Sequence, residues 1–188
     1  ANNSNIAGVI VLGESASRHH MSIYGYSRPT TPEMAKLEDN LLIFDNVISA
    51  ASTTSSALRY LLTWSHVADA DDLRCSIVDV FRAAGYRVVL ISNQYRSGEY
   101  DSPVSLLFGN VDKAIYLKEL KNLHDDEVLQ PLQEELNNSS GQPVIVFVHF
   151  IGSHILYQCR YPENFGPFDG LRDQNNEDLT ERYARDWN

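Results

Sequence analysis

Two residues of this chain combine a reactive side chain with a setting that suits reaction chemistry. Glu14 follows Gly13 directly after an apolar run, and a carboxylate there can ligate a metal, act as a base or cap the next helix. Thr54 lies in residues 49–56, a small-residue run where a helix is predicted to begin. A hydroxyl at a helix N-terminus can act as a nucleophile beside N–H groups that bind phosphate oxygens, or it can serve only as a cap. As a nucleophile it needs an activator, and a bound divalent metal is one solution.

Two histidines lie five residues apart around a Gly-Ser turn, at His149 and His154. Such a pair can contact a phosphate or donate a proton to a leaving group, and it can equally be held by backbone carbonyls. Asn93 and Gln94 occupy a similar position, close behind another apolar run. Both alternatives stay open for the histidines on the residues alone.

Three apolar runs must position these side chains: residues 6–12, 87–91 and 144–148. Near-continuous apolar runs of this length are typical of parallel strands that are covered on both faces. In open α/β sheets, ligands bind beyond the carboxyl ends of the strands. Because polar residues follow each run, the three strand ends are predicted to converge on one site.

Helices are predicted between these strands, over residues 32–37, 57–64, 71–84 and 125–136. In the third of them, Leu73, Ile77 and Val80 recur at helical spacing, acidic residues open the helix and Gly85 closes it. Pro131 interrupts the last one and marks a kink or a restart. Residues 41–47 are a further strand candidate. The pattern as a whole is typical of an α/β fold.

The composition limits the class of function. The 188 residues allow one domain with a sizeable core, and the net charge of −10 argues against a nucleic-acid partner. No apolar stretch approaches the ~18 residues of a membrane span. The two cysteines, Cys75 and Cys159, match no zinc-binding spacing. Two unpaired structural thiols are the preferred interpretation, while their redox state stays open.

Several short motifs occur along the chain: Gly-Glu-Ser-Ala at 13–16, His-Met-Ser-Ile-Tyr-Gly-Tyr-Ser-Arg-Pro-Thr-Thr-Pro at 20–32, Phe-Asp-Asn-Val-Ile-Ser at 44–49, Ser-Asn-Gln at 92–94, His-Phe-Ile-Gly-Ser-His at 149–154 and Arg-Tyr-Pro at 160–162. In this order they resemble the periplasmic domain of phosphoethanolamine transferases, sulfatase-like enzymes of the alkaline phosphatase superfamily. The resemblance spans nearly the whole chain. The Met-Ser-Ile-Tyr-Gly-Tyr and Thr-Thr-Pro segments are more similar to the branch that modifies core heptose or related acceptors.

This resemblance implies a three-layer α/β/α sandwich with a mostly parallel sheet, incomplete at its C-terminus, with residues 1–188 forming part of a catalytic domain. It implies that Glu14 is a zinc ligand and that Thr54 is both a zinc ligand and the nucleophile. Thr53 is the alternative nucleophile if the loop is offset by one residue. The residues implied to contact the phosphoethanolamine group are Asn93, Gln94, His149 and His154.

The reaction implied by the resemblance has two steps. Thr54 attacks phosphatidylethanolamine and diacylglycerol leaves, after which a sugar hydroxyl or sugar phosphate of lipopolysaccharide or lipooligosaccharide takes the group. The acceptor is lipid A or a core sugar. Such an enzyme works at the periplasmic face of the bacterial inner membrane, to which an N-terminal domain absent from this chain attaches it.

Three features depart from the family's pattern. Ala50 and Tyr60 stand where the lipid A enzymes have a cysteine pair, and Ile155-Leu156 follow His154 where those enzymes have Gly-Pro. The Ser-Asp-His-Gly-Glu motif, which supplies an Asp and a His to the zinc, does not occur. A stable catalytic zinc takes about three protein ligands, so we expect these 188 residues to be inactive as they stand.

Other functions remain as alternatives. A glycerol-phosphate transferase of the lipoteichoic-acid kind shares the threonine nucleophile. A sulfatase would need a Cys or Ser in a Cys-x-Pro-x-Arg-type setting, which residues 49–56 lack. A binding module that has lost its metal site is the alternative from a different class.

Overall fold

A parallel sheet, of which the structure describes four strands, forms the core of the described residues. The structure, a computed structural model, describes residues 6–65, 75–98, 102–117, 124–138, 141–154 and 160–162. The strands are β1 (Ala7–Leu12), β2 (Arg87–Ser92), β3 (Lys113–Tyr116) and β4 (Val144–His149), in the spatial order β1-β4-β2-β3. All three pairings are parallel. The three predicted strands and the α/β fold class are therefore confirmed.

Helices cover both faces of this sheet. They are α1 (Pro32–Ala35), α2 (Thr54–Leu62), α3 (Ile77–Ala83), α4 (Ser102–Leu107) and α5 (Leu129–Asn137), with short 3-10 helices at Arg18–His20, Ser22–Tyr24, Glu38–Asn40 and Asp125–Val128. Buried residues of α2, α3 and α4 pack on one face of the sheet, against Leu90 and Phe147. Leu132 and Leu136 of α5 pack on the other face, against Val89 and Val146. The result is the predicted three-layer arrangement.

The central strands form the core, because side chains on both of their faces are covered. Every residue of β4 is buried, and so is every residue of β2 after Arg87. The prediction that all three strands are covered on both faces is wrong for β1, where Val9 is 41% and Val11 55% exposed. β1 pairs with β4 alone among the described strands. Its inner face reaches the core through Leu12, and α5 does not extend over its other face.

One predicted strand does not form. Residues 41–47 adopt no regular structure, and Leu42 and Phe44 in this segment are exposed. Its apolar run reflects local composition, and no described strand pairs with it. Conversely, β3 and α4 were not predicted, since each is short and carries no clear periodicity.

The predicted helix over 71–84 is confirmed only in its second half. Its first residues, with Leu73, lie outside the described part of the chain. Ser76 is the N-cap, because its hydroxyl accepts from the Asp79 N–H while the Asp79 carboxylate accepts from the Ser76 N–H. Asp79 is thus the acidic residue of the first turn. The predicted helix over 125–136 divides into a 3-10 turn and α5, with Pro131 in the first turn of α5.

Two further findings bear on the sequence analysis. Cys75 is a free, exposed cysteine, while Cys159 lies outside the described residues. Among the helices that the structure describes, none has the length and apolar character needed to cross a membrane.

Candidate active site

The carboxyl ends of three strands meet in one row. Leu12 at the end of β1 and Ser92 at the end of β2 both pair with His149, the last residue of β4. Neighbouring parallel strands lie about 4.8 Å apart, so the segments that follow them start side by side. The predicted convergence of the three strand ends is therefore confirmed.

Glu14 is a buried carboxylate held by two hydroxyl groups. Its side chain is 8% exposed. Ser15 donates its hydroxyl hydrogen to Glu14 Oε1 over 3.0 Å, and Thr54 donates to Glu14 Oε2 over 2.8 Å. Ser15 has φ +50°, a left-handed conformation that non-glycine residues rarely adopt. The sharp turn after β1 thus aims the carboxylate of Glu14 at Thr54, which lies 40 residues away in the sequence.

Thr54 is the first residue of α2. Thr53 is the N-cap, its side chain makes no capping hydrogen bond, and its carbonyl accepts from the Ala57 N–H over 2.9 Å. The N–H groups of the first turn therefore have no acceptor within the helix. Thr54 brings its hydroxyl to this electropositive end, next to the carboxylate of Glu14.

Asn93 and Gln94 extend from β2 toward the end of β4. The Asn93 side chain is fully buried, and its Nδ2 donates to Asp125 Oδ1 over 2.9 Å. The Gln94 side chain is half-buried, and its Nε2 donates to the Phe150 carbonyl over 2.8 Å. The same Nε2 lies 3.1 Å from His149 Nε2. Because this amide nitrogen can only donate, His149 Nε2 acts as the acceptor, which assigns the imidazole hydrogen to Nδ1.

His149 is buried at the centre of the row, with 2% of its surface exposed. Burial holds the pKa of its imidazole below the ordinary value of 6.5, although the charges of Glu14 and Asp125 act in the opposite direction. The imidazole is therefore neutral at pH 7. His154, by contrast, is exposed, and its backbone N–H donates to the Ile151 carbonyl over 3.3 Å.

Residues 150–154, which we call the β4 loop, connect the strand ends to each other. The Phe150 N–H donates to the Leu12 carbonyl over 3.0 Å, and the Ser153 N–H donates to the Glu14 carbonyl over 3.0 Å. Gly152 has φ +52°, and a Cβ there would lie 2.4 Å from Glu14 O. Only glycine fits this contact, so the loop lies directly against the backbone of Glu14.

The structure thus brings together five of the six predicted site residues: Glu14, Thr54, Asn93, Gln94 and His149. His154 lies at the end of the same loop, on the surface. Two residues of the site were not predicted. Ser15 and Asp125 hold the others in place, and the only sequence signal for Asp125 was its position at the start of a predicted helix.

The donors present fit one part of a zinc site. Glu14 Oε2 and Thr54 Oγ1, 2.8 Å apart, are oxygen atoms that can face one cation. Glu14 forms no ion pair with a described Lys or Arg, so a divalent cation would balance its buried charge. Within the described ranges, however, no cluster of three or more His, Cys, Asp or Glu can hold a metal. These residues therefore do not complete a zinc site by themselves.

Comparison with known families agrees with this geometry. The Sulfatase family model matches residues 7–187. The chain belongs to the sulfatase family. Among similar proteins, phosphoethanolamine transferase EptC of Escherichia coli (strain K12) is 36% identical over 174 residues, which cover 88% of this chain and 30% of EptC. The chain thus spans about a third of the length of the curated relatives that it matches.

Solved structures of similar proteins extend this result. The C-terminal periplasmic domain of Escherichia coli EptC in complex with Zn matches with a TM-score of 0.82 and 32% identity, over 98% of this chain and 55% of that domain. The soluble domain of lipooligosaccharide phosphoethanolamine transferase A from Neisseria meningitidis matches with a TM-score of 0.74 and 27% identity, over 89% of this chain and 52% of that one.

A more distant match concerns the fold alone. A protein in the alkaline phosphatase superfamily from Vibrio parahaemolyticus is 20% identical and matches with a TM-score of 0.65, over 88% of this chain and 44% of its own. The alkaline-phosphatase-like, sulfatase-like architecture expected from the sequence is therefore confirmed. Zinc is present in the EptC complex, so the family expectation of zinc is confirmed at that level.

Proposed function

We propose that the chain is part of the catalytic domain of a phosphoethanolamine transferase. The transferase takes phosphoethanolamine from phosphatidylethanolamine, holds it on Thr54 and passes it to lipopolysaccharide or lipooligosaccharide. One observation carries the proposal: the Thr54 hydroxyl, at the start of α2, donates to the buried carboxylate of Glu14 over 2.8 Å. The names of the similar proteins EptC and lipooligosaccharide phosphoethanolamine transferase A support the same chemistry.

Thr54 and Glu14 divide the first step between them. The hydrogen of the Thr54 hydroxyl points at Glu14 Oε2, so the carboxylate is placed to take up this proton as the oxygen becomes a nucleophile. The Thr54 oxygen attacks phosphorus, the phosphorus–oxygen bond to diacylglycerol breaks, and the leaving oxygen takes up one proton, which balances the proton that Thr54 lost. The N–H groups at the start of α2 are placed to bind the phosphate oxygens during this exchange.

Glu14 and Thr54 would hold the zinc ion, together with donors other than the described residues. When bound, zinc supplies positive charge that favours the ionised form of a hydroxyl ligand and the anionic phosphate. Ser15 fixes one oxygen of the Glu14 carboxylate and leaves the other for Thr54.

The four predicted substrate-binding residues differ in exposure, and we propose that they differ in role. Gln94 is half-buried and His154 is exposed, so these two are best placed to meet the phosphoethanolamine group. Asn93 and His149 are buried and bonded within the protein. They act by holding Gln94 and the β4 loop, and direct substrate contact by any of the four stays a prediction.

The second step returns Thr54 to its free hydroxyl. A sugar hydroxyl or sugar phosphate attacks the phosphorus of the adduct and the bond to Thr54 Oγ1 breaks. Thr54 Oγ1 regains a proton, which the attacking hydroxyl gives up or, when a phosphate attacks, which solvent supplies. We place the reaction at the periplasmic face of the inner membrane. Two similar structures support this, since one is the C-terminal periplasmic domain of Escherichia coli EptC and the other is the integral membrane protein EptA of Neisseria meningitidis.

Mass spectrometry of the full-length transferase, of which we propose this chain to be a part, tests the proposal. After incubation with phosphatidylethanolamine and zinc, we expect one phosphoethanolamine group on the peptide that contains Thr54. Thr54→Ala removes the acceptor oxygen and should abolish the adduct. Thr53→Ala is the matched control, because the Thr53 side chain makes no capping bond and should leave the adduct unchanged.

Each alternative predicts a different outcome of this experiment. An adduct that persists in Thr54→Ala and disappears in Thr53→Ala would move the nucleophile by one residue. An adduct formed from phosphatidylglycerol in place of phosphatidylethanolamine would identify a glycerol-phosphate transferase. Binding of the lipid without any adduct would identify a binding module, and release of free phosphoethanolamine to water would identify a hydrolase.

A further inference from the structure

The carboxylate of Asp125 collects three hydrogen bonds from two segments of the site. Its Oδ1 accepts from Asn93 Nδ2 and from the Ile151 N–H, each over 2.9 Å. Its Oδ2 accepts from the Gly152 N–H over 2.8 Å. Asp125 lies in the 3-10 turn before α5, on the face of the sheet opposite to α2. It therefore links the end of β2 to the β4 loop on the face of the sheet that α5 covers.

The β4 loop, which Asp125 holds, in turn contacts the backbone of Glu14. The Gly152 backbone lies against Glu14 so closely that even a methyl group would overlap the Glu14 carbonyl. The next residue, Ser153, donates its N–H to that same carbonyl. The chain of contacts runs from Asp125 through two loop N–H groups to Glu14, whose side chain accepts from Thr54.

We propose that Asp125 is a positioning residue for Thr54 chemistry. It holds the β4 loop against the backbone of Glu14 and thereby fixes the direction of the Glu14 carboxylate. The inference rests on the proposed function, since it assigns Asp125 a part in the same reaction. Asp125 itself touches neither Glu14 nor Thr54 through any hydrogen bond recorded among the described residues.

An ionised carboxylate is the side chain that suits this position. All three partners of Asp125 are donors, and a carboxylate only accepts. An amide at the same place presents an NH₂ group to at least one loop N–H, so one bond becomes a contact between two donors. Asp125→Asn should therefore loosen the loop while it preserves the size of the side chain.

The test compares Asp125→Asn with Asp126→Asn, which removes the same charge from the exposed neighbouring residue. Two measurements are made on each variant. Hydrogen exchange of the peptide that spans residues 150–153 reports how well the N–H groups of the β4 loop are protected. The time course of adduct formation on Thr54 in the full-length transferase, with phosphatidylethanolamine and zinc, gives a rate constant and a final amplitude.

In Asp125→Asn we expect faster exchange in the loop peptide and a rate constant lower by about 10–100-fold, the usual cost of losing a partner that orients a reactive group. The amplitude should stay at the wild-type level. A merely structural role would lower the amplitude, because fewer molecules would be folded, and would leave the rate constant of the folded ones unchanged. Asp126→Asn should match the wild type in both quantities.

Two results would overturn the inference. If Asp125→Asn matches Asp126→Asn in its rate constant, Asp125 does not position the reactive groups and the proposed function still stands. If the wild type itself forms no adduct with phosphatidylethanolamine, both the proposed function and the role of Asp125 in it fail together.

Discussion

Two buried glutamates, at opposite ends of the sheet, are neutralised in different ways. Glu135 of α5 is 2% exposed and lies near the amino ends of β2 and β3. It forms ion pairs with Arg87 and with Lys113, each at 2.5 Å. Glu14 is 8% exposed at the carboxyl end of β1, and its described partners are the hydroxyls of Ser15 and Thr54.

The difference separates a structural carboxylate from a reactive one. At Glu135 the cations of Arg87 and Lys113 compensate the buried negative charge, so this carboxylate needs no bound cation. At Glu14 hydroxyl groups orient the carboxylate and leave its negative charge uncompensated by any described Lys or Arg. Such a residue costs stability in the free protein, and this cost is typical of sites that bind a cation or transfer a proton.

The strongest test of this comparison is Glu14→Gln. We expect the rate of adduct formation on Thr54 to fall by about 10²–10⁴-fold, because an amide neither accepts a proton nor attracts a cation. Folding should be unaffected or improved, since a buried charge without a cationic partner is removed. Adduct mass spectrometry and urea unfolding measure the two effects.

A Glu14→Gln protein that unfolds more easily and keeps its rate constant would break the comparison, because Glu14 would then be a structural residue like Glu135. Glu33→Gln provides the control, since Glu33 is exposed and pairs with Lys36 on the surface.

The opposite pattern is expected for Glu135→Gln. The substitution leaves the cations of Arg87 and Lys113 without their shared partner, and we expect a loss on the order of 3 kcal/mol in the free energy of unfolding. The rate constant of Thr54 in the folded molecules should not change, because Glu135 lies at the far end of the sheet. A slower rate constant at full amplitude would contradict the separation of the two ends.

Glu135 also makes the free energy of unfolding depend on pH in the acid range. Burial raises the pKa of the Glu135 carboxyl, but the hydrogen bonds and charges of Lys113 and Arg87 outweigh it and hold the pKa below its ordinary value of 4.5. Its contribution is therefore complete above the ordinary value and is lost as pH falls through the lower folded value. Urea titrations between pH 7 and pH 3 should show a shallower loss in Glu135→Gln than in the wild type.

Ser15 offers a smaller and sharper test on the Glu14 side. Ser15→Ala removes the hydroxyl from Glu14 Oε1 and keeps a side chain at φ +50°. We expect a roughly 10-fold lower rate constant, because the carboxylate loses one of its two orienting bonds. Ser15→Gly relieves the backbone strain and still lacks the hydroxyl, so it should gain stability without recovering the rate. Recovery in Ser15→Gly would show that strain, rather than the hydrogen bond, limits the reaction.

Sequence reasoning succeeded where a signal was local. The apolar runs before Gly13, Asn93 and His149 identified strands, and the polar run before Ala57 identified the start of α2. The same local signal misled at residues 41–47, since an apolar run becomes a strand only when a neighbour pairs with it. Thr54 was a candidate because a hydroxyl at a helix N-terminus can act as a nucleophile or as a cap, and its choice as the nucleophile, ahead of Thr53, rested on the family resemblance.

The residues that hold the site together escaped prediction because their partners are distant in the sequence. Asp125 is 26 residues from Ile151 and 32 from Asn93. No periodicity links such positions, and an acidic residue at the start of a helix is usually a cap. The left-handed conformation of Ser15 was also beyond prediction, since serine ordinarily avoids it.

The exposed flank of β1 determines how the chain must be handled in solution. Residues 7–12 contain no charge and no proline, and these are the features that usually keep an edge strand from pairing with other molecules. Val9 and Val11 add apolar surface beside backbone groups with which no described strand pairs. Aggregation should therefore increase with protein concentration, and dilute solutions of moderate ionic strength are the appropriate conditions for every measurement described above.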